Sequence, residues 1–217
     1  MPLHYKNLSL TWLGHAGFNI KTHDGTTLVI DPFQIISEEK ADFVFITHPH
    51  YDHCSIEDIK KILQSHTIVV CTTDVQSKLG KIGSNVKTIV VEPGKNYEVA
   101  GLPIKTVPAY NKTKQFHPKE NHWVGYIFII DGTRVYHAGD SDLVPEISTV
   151  QSDIALLPVG GTYTMNAEEA AIAAQNIQPA CAIPMHWGSI VGSIKDAEEF
   201  VRICTINNVH AQILKRE

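Results

Sequence analysis

The segment T-H-P-H-Y-D-H-C-S (residues 47–55) contains three imidazoles and a carboxylate within six consecutive residues. These side chains belong to His48, His50, Asp52 and His53. Neutral imidazole and carboxylate bind borderline divalent metals, and residues i and i+2 at a strand end project to the same side. The spacing therefore predicts that His48 and His50 share one ion, while Asp52 and His53, one chain reversal further on, are placed to serve a second.

A metal site of this kind needs ligands from elsewhere in the chain, because one ion takes three or four ligands and a pair of ions takes more. The run D-F-V-F-I-T (residues 42–47) predicts a buried strand that delivers the histidine cluster at its carboxyl end. Asp140 and His186 each lie just beyond another such run, close to a glycine. Ligands at strand ends are a common geometry for functional sites, so both residues are predicted partners of the cluster.

His15 and Asp31 are further candidates, and each has a second interpretation. His15 lies in G-H-A-G (residues 14–17), which indicates either a turn that brings the backbone close to the metal cleft or a hydrogen-bonded core histidine. Asp31 ends a predicted strand shortly before the cluster. Its carboxylate can accept a hydrogen bond from the outer nitrogen of a ligating imidazole, or it can cap a turn.

Alternating strands and helices must position these residues. The chain opens as a predicted β-meander, with extended runs over residues 8–13 and 18–31 and an Asp24-Gly25 hairpin within the second run. Ser55 predicts the start of a helix directly after the histidine cluster. Further strands are predicted at 67–71, 86–91, 97–100, 102–108, 124–130, 134–138 (after an Asp131-Gly132 hairpin), 153–159 and 181–186, and helices at 74–79, from Asn166 to Pro179, and around 197–204. Both halves show strands followed by helices, which hints at a duplicated α/β unit.

Composition limits the class of protein and its partners. The 217 residues, 43% of them hydrophobic, fit a single domain over residues 1–217. Eighteen Lys and Arg against 23 Asp and Glu give a net charge of −5, so no global basic field favours nucleic acid or an anionic membrane. Four widely spaced cysteines without a C-x-x-C pair argue against a disulfide framework or a thiolate zinc site. With no recognisable signal peptide or membrane helix, we expect a cytoplasmic protein with a small-molecule substrate, and leave a homo-oligomer open.

Over nearly its whole length the chain resembles the metallo-β-lactamase-fold hydrolases. The resemblance is carried by T-H-P-H-Y-D-H, by Y-H-A-G-D-S-D around Asp140, and by I-P-M-H-W around His186. The motifs W-L-G-H-A-G, I-D-P and L-L-P-V-G-G-T-Y-T-M resemble the short single-domain branch whose members are similar to the ascorbate-phosphate lactonase and the N-acyl phosphatidylethanolamine phospholipase D. The resemblance implies an α+β fold, a four-layer αβ/βα sandwich with the site at one edge.

The resemblance also implies a ligand set, with one departure. Carried over by position, His48 and His50 bind the first ion, Asp52, His53 and His186 bind the second, and Asp140 bridges them. The family usually has a histidine of the first ion after a strand near the middle of the chain, but V-P-A-Y-N (residues 107–111) offers Asn111 there. Because an amide is a weak ligand for such an ion, we expect His117, in the polar loop of residues 111–122, to replace it, and Asn111 to support a ligand or to contact the substrate. His122 is the second choice, and without either the enzyme would be mononuclear.

The implied reaction is metal-assisted hydrolysis, in which a metal-activated water attacks a phosphoester, ester or lactone. Asp52 and Asp140 are the predicted catalytic residues, because either carboxylate can orient that water. His15, Thr162 and Tyr163 are candidate donors to a developing oxyanion, although the last two fit a structural role as well. The donor types admit one or two ions of zinc, manganese, iron, cobalt or nickel.

Two other functions stay open. A nuclease or cyclic-nucleotide phosphodiesterase would use the same metal pair, but the net charge of −5 and the absence of an RNA-binding appendage disfavour a long polyanionic substrate. A non-catalytic metal- or ligand-binding protein on the same scaffold would account for the altered histidine position. Hydrolysis of a small or medium-sized phosphoester or lactone is the favoured function.

Overall fold

The computed structural model describes residues 1–83 and 86–217. These residues pack as two compact units, one formed by Met1–Val91 with Leu214–Glu217 and the other by Glu92–Ile213. Each unit contains one mixed β-sheet and two α-helices of the described chain. This composition agrees with the predicted α+β class.

The sheet of the first unit has seven strands in chain order among the described residues. They are β1 Leu3–Tyr5, β2 Leu8–Gly14, β3 Gly17–Thr22, β4 Thr27–Ile30, β5 Phe43–Phe45, β6 Ile68–Cys71 and β7 Lys87–Val90. Strands β1 to β4 are antiparallel, whereas β4 to β7 are parallel. Strands β4, β5 and β6 are buried on both faces, which explains why their sequences, apart from Thr27, are continuously apolar rather than alternating.

Two short helices cover one face of this sheet. Helix α1 (Ile56–Ile62) follows β5, and helix α2 (Thr73–Leu79) follows β6. As predicted, the Ser55 side chain caps α1 by accepting a hydrogen bond from the Asp58 N–H. The apolar residues of helices α1 and α2 pack with those of the strands in one cluster, which includes Ile59, Ile62, Val75, Leu79, Val44, Val69 and Cys71. The histidine cluster is therefore confined to the short connection between a buried strand and a docked helix.

The second unit repeats this order of elements. Its strands are β8 Asn96–Val99, β9 Leu102–Pro108, β10 Val124–Ile130, β11 Thr133–His137, β12 Ile154–Pro158 and β13 Cys181–Met185, and its helices are α3 Ala167–Ile177 and α4 Ile194–Ile206. Strands β8 to β11 are antiparallel, and β11 to β13 are parallel. Helix α3 packs against β12, and α4 packs against β13. Each unit is thus an antiparallel meander followed by parallel strands with helices, as the hint of duplication suggests.

The structure corrects several predicted boundaries. The strand predicted at 42–47 is limited to Phe43–Phe45, because the backbone turns away before the histidine cluster. Strand β1 was not predicted, and the polar loop of residues 111–122 ends in a short 3₁₀ helix, Lys119–Asn121, which His122 terminates in the left-handed region at φ 55°. A second 3₁₀ helix, Pro145–Thr149, was also missed. Such single turns depend on a few local contacts and leave little periodic signal.

Both predicted hairpins are present, but only the second is the tight two-residue turn that was predicted, because Asp24 lies in a four-residue connection where Gly25 alone has a positive φ. Strand β3 ends and β4 begins on either side of Asp24-Gly25, and β10 and β11 are joined at Asp131-Gly132. Asp131 and Gly132 have φ values of 48° and 74°. Two successive positive φ angles are what a tight two-residue hairpin requires.

Among the described residues, no helix combines the length and apolarity needed to cross a bilayer.

The N-terminus of α3 yields a test of the packing of the second unit. The Asn166 side chain accepts from the Glu169 N–H at 2.8 Å, and the Glu169 carboxylate accepts from the Asn166 N–H at 3.1 Å. Because this capping box pairs two backbone donors, we expect Asn166→Ala to lower the free energy of unfolding by about 1 kcal/mol in urea titrations. Gln175→Ala, at an exposed position of the same helix, should change it by less than about 0.5 kcal/mol. Equal losses in the two variants would contradict the role of the cap.

Candidate metal centre

His48 and His50 lie together in the first unit, in the irregular segment between β5 and α1. His48 is buried and His50 is partly buried. The Nε2 atom of His48 is 3.0 Å from the Nδ1 atom of His50, and their ring centroids are 4.6 Å apart. The i, i+2 spacing in the sequence therefore produces two adjacent imidazoles, as two ligands of one ion would require.

The Asp31 carboxylate fixes the orientation of His53 by a hydrogen bond to its Nδ1 atom. Its carboxylate accepts hydrogen bonds from the Thr47 N–H at 2.8 Å, from the Thr47 hydroxyl at 2.6 Å and from His53 Nδ1 at 2.8 Å. A carboxylate on the outer nitrogen of an imidazole fixes the ring orientation and its tautomer. The opposite nitrogen, Nε2, then faces Asp52, whose Oδ2 atom is 3.5 Å away.

Asp52 lies between two imidazoles of the first unit. Its Oδ2 atom is 2.9 Å from His15 Nε2, and one donor atom from each of His15, Asp52 and His53 lies within 4.8 Å of the others. His15 adopts φ 50° in the turn between β2 and β3, where its carbonyl accepts from Trp12 Nε1 at 2.9 Å. His15 is thus a buried histidine that contacts a predicted ligand, so it combines features of both interpretations of its motif.

Arg216 closes the same turn and had no sequence signal. Its Nε donates to the Leu13 carbonyl at 3.0 Å, and its guanidinium also donates to the Gln34 carbonyl. Gly14, at φ 108°, leaves room for this side chain, because a Cβ there would lie 2.7 Å from Arg216 Nε. A contact that spans 203 positions leaves no local pattern in the sequence.

His117, Asp140 and His186 form the corresponding group of the second unit. The Asp140 Oδ2 atom is 3.2 Å from His117 Nε2 and 3.0 Å from His186 Nε2, and all three side chains are buried. Asp140 follows β11 and His186 follows β13, so the carboxyl ends of strands in the same sheet bring them together. His117 comes from the polar loop between β9 and β10.

Asn111 is hydrogen-bonded to His117, the histidine that was predicted to replace it as a ligand. The Asn111 Oδ1 atom lies 3.1 Å from both the N–H and the Nδ1 of His117, and the Asn111 N–H donates to the His117 carbonyl at 2.7 Å. His122, the second choice for this position, is exposed at the end of the 3₁₀ helix. The backbone carbonyl of Tyr163 also faces His117 Nδ1, at 3.2 Å, while its ring packs on Phe116.

Asp142 is a buried residue of this group that the sequence reasoning overlooked. Its carboxylate accepts from Asn111 Nδ2 at 3.1 Å, from the Lys112 N–H at 2.9 Å and from Lys114 Nζ at 2.5 Å. Asp142 stands two residues after Asp140 in G-D-S-D. The i, i+2 spacing that singled out His48 and His50 was a signal that could have identified it.

The donors of each group fit a borderline divalent cation. They are imidazoles and carboxylates, which suit zinc, manganese, iron, cobalt and nickel. None of the groups of described residues that could hold an ion includes a cysteine. Burial raises the pKa of Cys54 and Cys181 to about 11 and that of Cys71 and Cys204 to about 12, so these thiols stay protonated near neutral pH in the absence of a metal.

Comparison with known proteins agrees with this chemistry. Residues 9–186 match the family model described as the β-lactamase superfamily domain. A UPF0173 metal-dependent hydrolase of Thermoplasma acidophilum is 35% identical over 211 residues, which cover 90% of each chain.

Two solved structures extend the likeness to the fold. A protein of Parabacteroides distasonis described as a metal-dependent hydrolase has a TM-score of 0.88 and 29% identity, over 100% of this chain and 99% of that one. A metallo hydrolase of Ignicoccus hospitalis has a TM-score of 0.79 and 26% identity, over 96% of this chain and 95% of that one. The predicted metallo-β-lactamase fold is confirmed, and the chain belongs to the β-lactamase superfamily, among the metal-dependent hydrolases that these relatives represent.

Proposed function

We propose that this protein hydrolyses a phosphoester, or a lactone or other ester, with a metal-activated water. The observation that carries the proposal is the buried Asp140 carboxylate, one oxygen of which faces two imidazoles at 3.0 and 3.2 Å. The proposed ligands are those of the sequence prediction: His48, His50 and His117 for one ion, Asp52, His53 and His186 for the other, and Asp140 as the bridge. Membership of a superfamily whose relatives are metal-dependent hydrolases supports the proposed reaction, metal-dependent hydrolysis.

The residues of the chain have distinct roles in this proposal. When bound, the ions would act as Lewis acids and lower the pKa of a water enough for attack near neutral pH. Asp31 holds His53 in one tautomer, and His15 holds the Asp52 carboxylate at 2.9 Å. Asp52 and Asp140 then orient the attacking water and its proton. Tyr163 stays a candidate donor to the developing oxyanion of the substrate.

Removal of metal tests the reaction class. Treatment with a chelator should abolish hydrolysis, and readdition of zinc or manganese should restore it. The substrates to compare are an aryl phosphodiester, an aryl phosphomonoester, an aryl carboxylic ester, a lactone, a cyclic nucleotide and a short RNA, with product release followed spectroscopically or by chromatography. Turnover of the last two alone would favour the nucleotide phosphodiesterase. Tight metal binding without turnover of any of these substrates would favour the non-catalytic function.

Single substitutions test the proposed ligands. We expect His50→Ala and Asp140→Ala each to lower kcat/KM at least about 100-fold, because each removes a proposed ligand of a metal ion. His66→Ala removes an exposed histidine that pairs with Asp42, and it should leave kcat/KM unchanged. Circular dichroism and thermal unfolding of all three variants separate loss of a ligand from loss of the fold. Unchanged turnover in the His50 and Asp140 variants would overturn the assignment.

The pair Asp31 and His53 yields a separate prediction for metal affinity. Asp31→Asn should raise the dissociation constant for zinc about 10- to 100-fold, because the amide holds His53 Nδ1 less strongly than a carboxylate does. Asp42→Asn is the control, since the Asp42 carboxylate also pairs with an imidazole, that of the exposed His66 at 3.0 Å, which is not a proposed ligand. It should leave the dissociation constant within about twofold. Competition with a chromophoric chelator measures both, and equal affinities for the two variants would contradict the prediction.

A further inference from the structure

We propose that Asn111, Lys114 and Asp142 position His117 and select the nitrogen with which it binds a metal ion. These three residues are called the His117 brace below. The proposal rests on the proposed function only in that His117 is taken as a ligand. It assigns a role to Lys114 and Asp142, which lie outside the ligand set, and it specifies which ligand Asn111 supports and how.

The first step is the environment of His117 Nδ1. This atom faces two oxygens, Asn111 Oδ1 at 3.1 Å and the Tyr163 carbonyl at 3.2 Å. Carbonyl oxygens accept hydrogen bonds and cannot donate them, so Nδ1 must carry the proton. In a neutral imidazole the lone pair then lies on Nε2, and this nitrogen is directed at Asp140 Oδ2, 3.2 Å away. A lone pair directed at a carboxylate is stable when a cation lies between them, which is the arrangement of two ligands of one ion.

The second step is the direction of the Asn111 amide. Its Nδ2 donates to Asp142 Oδ1 at 3.1 Å and to the Tyr163 carbonyl at 2.8 Å. Because both partners are acceptors, the nitrogen end of the amide must face them, and the oxygen end must face His117. Asp142 and the Tyr163 carbonyl together therefore fix the direction of the amide, and the amide oxygen and the same carbonyl fix the His117 tautomer. An aspartate at position 111 would lack the donor end and would place two carboxylates in contact.

The third step is the charge of Asp142. Its side chain is 3% exposed, and a buried carboxylate is costly unless donors compensate it. Lys114 supplies the opposite charge at 2.5 Å and also donates to the Thr164 carbonyl at 2.9 Å. Lys112 contributes its backbone N–H at 2.9 Å. Lys114 lies three residues before His117. The loop that contains the proposed ligand His117 therefore also contains the cation that stabilises the Asp142 carboxylate.

The neighbouring lysines allow a matched test. Lys114→Ala removes the cation from Asp142, whereas Lys112→Ala keeps the N–H that Asp142 accepts. We expect Lys114→Ala and Asp142→Asn to raise the dissociation constant for zinc or cobalt(II) about 10- to 100-fold, as loss of an outer partner of a metal ligand typically does. Lys112→Ala should bind as the wild type does, and Lys114→Arg should recover most of the affinity. Chelator competition measures the constants, and the visible spectrum of the cobalt(II) protein reports whether a ligand is lost.

The thermal stability of the metal-free variants separates positioning from a merely structural role. If Lys114→Ala lowers the melting temperature but binds metal as tightly as Lys112→Ala does, the brace proposal is overturned while the proposed function stands. If the wild type binds metal and the variants lose affinity, but no substrate is hydrolysed, the proposed function fails while the brace stands. A wild-type protein that binds no divalent cation overturns both.

Discussion

The burial of carboxylates is the constraint on which the structure around both ligand groups depends. Asp31, Asp52, Asp140 and Asp142 are all buried, and a buried carboxylate without partners costs several kcal/mol. The four meet this constraint in two ways. Asp31 and Asp142 each accept three hydrogen bonds, with backbone N–H groups, a hydroxyl, an amide, an imidazole and a lysine among their donors. Asp52 and Asp140 lie against imidazole nitrogens instead.

This difference separates supporting carboxylates from proposed ligands. A carboxylate surrounded by fixed donors has its lone pairs occupied and holds its neighbours in place. One that faces the metal-binding nitrogens of imidazoles is arranged as a fellow ligand, because a cation between them would satisfy every member. Each unit contains both kinds: Asp31 supports His53 beside Asp52, and Asp142 supports His117 beside Asp140.

The positions of these residues follow from the topology of each sheet. Asp31 follows β4 and the histidine cluster follows β5, which are parallel neighbours, and Asp140 and His186 follow β11 and β13 in the parallel part of the other sheet. The backbone leaves regular geometry at several of these points, with φ 43° at Asp31, 50° at His15 and 58° at His186. Non-glycine residues in this region cost about 1 kcal/mol or more, and such residues cluster at functional sites. The irregular backbone at these positions therefore sets the direction in which the three side chains project.

Local sequence patterns were sufficient for most of the elements and for most of the proposed ligands. The two hairpins, the Ser55 cap and the helix that begins after Asn166 depend on residues within a few positions of one another, so each could be predicted from its own segment. The same holds for the histidine cluster, where the i, i+2 spacing alone makes His48 and His50 neighbours. Together with the histidine cluster, the motifs around Asp140 and His186 were also sufficient to identify the family.

Only the tertiary structure decided what supports those residues. The sequence showed that Asn111 is a poor ligand and that His117 is near it, but not that the Asn111 amide is held between His117 and Asp142. Nor did it show Arg216 against Gly14, a contact that joins residues 203 positions apart. Chemical identity and close spacing are properties of the chain and can be read from it. The direction of an amide, the partner of a buried charge and the nitrogen an imidazole presents depend on which segments the fold brings into contact.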